Sequence, residues 1–129
     1  MIDTKGGASN VSLNEIDNAP TLSLNTLRDA IYEDAVAHGL WDLPEELLVH
    51  TGLNTEEKYL VYSAILISGE VQELLEAMDK VDEHMKEELA DVIIMSLSVA
   101  GKLGINIDAA VRRKMEINKG RAYRHEGEK

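Results

Sequence analysis

Apolar positions along the chain recur at helical rather than alternating spacing. Leu27, Ile31 and Ala35 fall at four-residue steps and Gly39 follows as a stop, which predicts a helix from Asn25 or Thr26 to His38. Asp42-Leu43-Pro44 opens a short helix, with Pro in its first turn, that ends before Gly52. Asn54 with Glu57 three residues on forms a capping box. The helix it opens runs to about Met78 on the stripe Leu60, Ala64, Ile67, Val71, Leu74 and Met78. A tight connection follows at residues 79–82. Asp82 then caps a helix that reaches Leu103 and is closed by Gly104, with Met85, Leu89, Val92, Ser96, Val99 and Leu103 as its stripe. A last helix starts near Asn106 or Asp108 and reaches about Asn118, before Gly120. Four main helices with short loops predict an all-α fold, an antiparallel four-helix bundle. Residues 1–20, rich in Gly, Ser, Asn and Asp, read as a flexible arm, 21–125 as the helical domain and 126–129 as a polar tail.

Composition sharpens this picture. The 129 residues suit one domain. Phe is absent, and one Trp and four Tyr leave the core to Leu, Ile, Val, Met and Ala, which favours packed helices over a sandwich. Acidic residues outnumber basic ones 24 to 13, a net charge of −11. Such a surface repels polynucleotides and anionic membranes, so neither is an expected partner. It also repels nucleotides unless a cation or a basic patch intervenes. With no Cys there is no disulfide, thiolate zinc site or cysteine nucleophile. The first residues lack the basic start and apolar run of a signal peptide. The longest apolar runs are four residues, as at 92–95, too short to span a membrane. Cytoplasmic is the expected location.

The candidate chemistry lies in two acidic pairs. Glu70 and Glu73, then Glu88 and Asp91, are spaced i, i+3, so each pair projects from one helix face. In a helical hairpin, residues equidistant from the turn lie at equal height. Glu70 with Asp91 and Glu73 with Glu88 share a midpoint between residues 80 and 81, inside the predicted connection. A solvated acidic face is the ordinary reading of one such pair. Here the carboxylates interrupt apolar lines, Leu66-Glu70-Glu73-Ala77 and Glu88-Val92-Met95-Val99, where unpaired like charges are costly or take up protons. A divalent cation removes the conflict. Oxygen ligands without His or Cys favour Mg²⁺, with Mn²⁺ as a substitute. It would also bridge this acidic site to a polyphosphate. A ferritin-like di-iron site needs Glu-x-x-His. The residues three before His38, His50, His84 and His125 are Ala35, Leu47, Val81 and Ala122, which excludes it.

Two further groups are candidates for substrate contact. Lys114, Asn118 and Arg121 share a helix face, with Tyr123 just beyond. They suit phosphate oxygens, or compensate the helix dipole. His38 and Trp41 close the first helix, Trp41 being either a core anchor or a stacking wall for a nucleobase.

Gly69-Glu70-Val71-Gln72-Glu73 followed by Glu87-Glu88-Leu89-Ala90-Asp91 resembles the ExxE…ExxD signature of all-α NTP pyrophosphatases. Members include MazG, dimeric dUTPases, dCTP pyrophosphatase and phosphoribosyl-ATP pyrophosphatase. The segment Lys114-Met115-Glu116-Ile117-Asn118-Lys119-Gly120-Arg121-Ala122-Tyr123 resembles the phosphate-contacting tail of the MazG-like and dCTP pyrophosphatase branch. The resemblance implies hydrolysis of a nucleoside triphosphate, deoxy or non-standard, to monophosphate and pyrophosphate. It implies Mg²⁺ held by Glu70, Glu73, Glu88 and Asp91, with Glu70 the candidate base. It further implies a homodimer or dimer of dimers with the site near the interface; the apolar positions on more than one side of both hairpin helices, such as Tyr59 and Leu66 beside Leu60, Ile67 and Leu74, predict oligomerisation through the helical hairpin. Two positions depart from the pattern: Gly69 replaces the first Glu of a Glu-Glu-x-x-Glu run, and Met95 replaces a Tyr. The alternative is a non-catalytic nucleotide-binding or regulatory homologue of the same fold.

Overall fold

The structure, a computed structural model, describes residues 22–121, all helix and connecting turn. The expected arm, the polar tail and Tyr123 lie outside the described residues. The helices are α1 (Leu24–Ala37), α2 (Glu45–Leu48), α3 (Thr55–Glu76), α4 (Glu83–Lys102) and α5 (Ile107–Lys119). No strand occurs among the described residues.

The caps explain the boundaries. Ser23, one residue earlier than expected, caps α1 by accepting from the Thr26 amide. Pro44 stands at the N-cap of α2 rather than inside its first turn. Asn54 and Glu57 form the reciprocal capping box of α3. That helix closes at Ala77, one residue short of Met78. The Asp82 carboxylate accepts from the Met85 amide at 2.9 Å and opens α4. Both α1 and α4 end on a left-handed glycine, Gly39 at φ +82° and Gly104 at φ +68°. The Leu40 amide returns to the Ala35 carbonyl and the Ile105 amide to the Ala100 carbonyl. These are Schellman closures, which need the positive φ that glycine adopts without strain.

Helix α4 is the centre. It packs against α1 on one side and α3 on the other, and α1 also touches α5. Leu97, Ser98, Val99 and Ala100 are all buried near its end. Gly101 permits the closest approach, since a Cβ there would lie 2.5 Å from the Tyr32 Cβ. The buried side of α3 differs from the stripe expected. Ser63 and Ala77 are buried and Leu66, Glu70 and Leu74 half-buried, while Leu60, Val71 and Met78 are exposed. The helix is apolar on two sides, and α4 takes the side that carries the carboxylates.

Helix α5 has no buried residue and diverges from α4 by 115°. It is fastened to α1 by reciprocal capping. The Asp108 carboxylate accepts from the Leu24 and Asn25 amides at 2.9 and 3.2 Å. The Asn25 side-chain oxygen accepts from the Ile107 amide at 2.9 Å. Arg28 adds a bond from Nη1 to the Ile105 carbonyl at 2.7 Å. Among the described residues no single helix is long and apolar enough to cross a membrane.

Candidate active site

The turn between α3 and α4 brings the two acidic pairs together. Oxygens of Glu70, Glu73 and Glu88 all lie within 4.8 Å of one another. Glu73 thus lies beside Glu88, as equal height about the hairpin turn predicts, and Asp91 adds its charge to both Glu70 and Glu88. The Glu88 side chain is 16 % exposed, with His84 Nδ1 3.8 Å from its Oε2. Its Oε1 is buried and has no hydrogen-bond partner.

The electrostatics follow from that crowding. Burial, then Glu73, Asp91 and Glu88, raise the Glu70 carboxyl above the ordinary carboxylate range. Burial also raises Glu88, reinforced by Glu73 and Asp91 and opposed by His84. Carboxylates that resist ionisation in mutual contact, one with an orphaned buried oxygen, are a donor set short of a positive charge. The residues present therefore fit a divalent cation, and an all-oxygen set suits a hard one.

A cavity of about 380 Å³ opens beside the carboxylates, between α1, α3 and α4. Glu70, Glu73 and Asp91 form its acidic end, while Ile31, Ala35, Leu40, Ile94 and Met95 give it apolar walls and Asp34 and Ser98 polar ones. Its size and mixed lining are those of a small-molecule site. Asp34 and Ser98 are not among the sequence-derived candidates. The signal for Asp34 was its place beside Ala35 on the apolar stripe of α1. Ser98 had no signal, because a serine on a helix is mute until its burial is known.

The other candidates stand elsewhere. Trp41 is 5 % exposed, so of its two expected roles the structure gives it the core one. It meets Tyr62 edge-on at 5.7 Å and donates Nε1 to the Ser98 Oγ at 2.9 Å, behind the cavity wall. A ring so enclosed offers no open face for stacking a base, because the protein's own side chains already cover it. His38 is exposed, with Nδ1 2.8 Å from the Asp34 carbonyl, and does not line the cavity. Lys114, Asn118 and Arg121 lie on or just after α5, where Arg121 Nη1 donates to Asn118 Oδ1 at 3.2 Å. None of the three lines the cavity.

A family model described as MazG-like matches residues 65–129, half of the chain, including both acidic pairs and the α5 segment. The chain belongs to the MazG-like family, whose members suggest a pyrophosphatase acting on nucleoside triphosphates. No curated protein and no solved structure matches it.

Proposed function

We propose that this protein is a Mg²⁺-dependent nucleoside triphosphate pyrophosphohydrolase that releases the monophosphate and pyrophosphate, close to the dCTP pyrophosphatase branch of its family. The observation that carries this reading is the convergence of the Glu70, Glu73 and Glu88 oxygens at one end of a nucleoside-sized cavity. Glu70, Glu73, Glu88 and Asp91 would hold the cation. When bound, it would supply the positive charge that draws triphosphate oxygens to an acidic protein and stabilises charge developing at phosphorus. By fixing the cation's position the carboxylates would set which end of the cavity takes the phosphate chain, and the apolar walls exclude water from the nucleoside. Glu70 is the candidate base.

The described lining of the cavity includes no cationic residue. This supports a homodimer in which Lys114, Asn118 and Arg121 of a second copy reach the phosphates, as does the apolar surface left open on α3 and α4. The whole then forms an oligomer of four-helix bundles joined through the hairpin.

The test is a panel of NTPs and dNTPs incubated with Mg²⁺, scoring pyrophosphate and monophosphate. Equimolar release of both, abolished by Glu73→Ala and by chelation, is expected. Orthophosphate release, or no turnover with any triphosphate, would refute the assignment. In the latter case the non-catalytic nucleotide-binding reading would take its place.

A further inference from the structure

The cavity has polar groups beyond its acidic end, at Asp34 and Ser98. Asp34 lines the cavity from α1, and Glu70 and Glu73 line it from α3. His38 Nδ1 lies 2.8 Å from the Asp34 carbonyl, which can only accept, so that nitrogen carries the hydrogen and directs it to the backbone. The same nitrogen is 3.5 Å from Asp34 Oδ1. No hydrogen bond to the Asp34 carboxylate occurs among the described residues, and its side chain is 53 % exposed, so beside the His38 contact it keeps acceptor capacity at the cavity's rim. Ser98, 1 % exposed, lines the same wall. Trp41 Nε1 can only donate, so the Ser98 oxygen accepts from it and the Ser98 hydroxyl hydrogen remains to be given.

We propose that Asp34 is a specificity-determining residue that selects triphosphates whose base carries an exocyclic amino group. This rests on the nucleotide-binding reading of the cavity given above. The reasoning is one of donor and acceptor pattern. Cytosine, adenine and guanine each present an amino donor next to an acceptor or a further N–H on the same edge. An ionised carboxylate accepts from the amino group, and a hydroxyl such as Ser98 can serve the neighbouring acceptor. Uracil and thymine present their one N–H between two carbonyls. Aiming it at Asp34 brings carbonyl lone pairs against a negative charge. A base seated over the Asp34 carboxylate displaces its water, and a charge then left facing the wrong partner discriminates better than an apolar wall does. Ile31, Leu40 and Met95 would flank the flat ring without reading it.

The test measures kcat/KM with Mg²⁺ for dCTP, dATP, dGTP, dUTP, dTTP and CTP. Calorimetric binding of the α,β-imido analogues of dCTP and dUTP is measured alongside, on wild type and Asp34→Asn. The asparagine offers both an acceptor and a donor, so it tolerates either base edge without emptying the wall. Wild type is expected to favour amino-bearing bases by about tenfold, and Asp34→Asn to compress the ratio mainly by improving dUTP. An unchanged ratio in Asp34→Asn overturns the proposal, as does wild type indifferent to the base. A variant that alters the preference for dCTP over CTP while leaving the base ratio intact places Asp34 at the sugar and also overturns it. Turnover without base preference sinks this inference alone. Binding preference without turnover sinks the hydrolase and leaves Asp34 standing. If neither analogue binds, both fall.

Discussion

Trp41 Nε1 donates to Ser98 Oγ at 2.9 Å across 57 residues of chain, and so ties the loop after α1 to the α4 turn that walls the acidic cavity. Tyr59 and Tyr62 complete the anchor by donating their hydroxyls to the Trp41 and Leu40 carbonyls at 3.3 and 2.6 Å. The single Trp therefore positions the cavity without entering it. Ser98→Ala would leave a buried indole N–H without its acceptor, at a cost of roughly 1–3 kcal/mol. Urea denaturation is expected to show that loss, with Trp fluorescence shifted. A stability equal to wild type would mean that the bond contributes nothing.

The acidic end gives a pH dependence with a defined sign. Burial and neighbouring carboxylates raise Glu70 and Glu88 in the folded state. The native protein therefore holds protons that the unfolded chain has released. The associated stability is complete below the unfolded carboxylate pKa, about 4.3, and is lost as pH rises through the higher folded values. In chelator, stability should thus carry a falling contribution above about pH 4.3. Glu88→Gln should flatten it and raise the midpoint at neutral pH, while weakening the stabilisation by Mg²⁺ or Mn²⁺ that preferential binding to the native state produces. Denaturation midpoints across pH, with and without metal, read both effects. A variant that parallels wild type in each series contradicts this account of the cluster.

Two glycines on helices should respond oppositely to the same change. At Gly69 an added Cβ meets nothing within 4 Å. Gly69→Ala should stabilise by about 0.5–1 kcal/mol, through helix propensity and a less entropic unfolded chain. At Gly101 the added carbon meets Tyr32 Cβ and Cγ at 2.5 and 2.8 Å. Gly101→Ala must push α1 from α4 and should cost about 1–3 kcal/mol. Equal shifts for the two variants would show that α1 does not approach α4 closely at Gly101.

Much of this was legible in the sequence, for local reasons. Asn54, Asp82, Gly39 and Gly104 act on their own turns, so caps and stops could be read without tertiary knowledge. The hairpin register followed from counting, because equal height about a turn is a property of helices alone. What could not be read was which apolar side of α3 faces inward. Leu60 and Val71 look as core-forming as Leu66 and Leu74, and only the packing of α4 separates them. The burial of Trp41 and the approach of Asp34 depend on contacts between α1 and α4 that leave no local trace. The clasp of Asn25 with Asp108 is of the same kind: each was read only as a possible start of its own helix, and each caps the other's.

The surface of the hairpin carries the last prediction. On α3, Leu60, Ile65 and Leu75 are 48, 56 and 64 % exposed, and on α4 Leu89 and Ile93 are 45 and 54 % exposed. Single exposed apolar residues are ordinary, but these large side chains recur on both helices of the hairpin, and much exposed apolar surface is uncommon on a monomer. The described helices offer nothing further to cover them. A second copy presents the same surface, and two-fold pairing is the simplest closed arrangement. Light scattering at micromolar concentration should give at least the dimer mass. Ile65→Glu would place a charge among the exposed apolar residues of α3 and should shift the population towards monomer with helicity retained by circular dichroism. Turnover should fall with the dimer fraction if the phosphate-binding cations come from the second copy, and stay constant per chain if they do not. A wild-type monomer that persists with Mg²⁺ and a substrate analogue present would sink the dimer and leave the site to be completed within one chain.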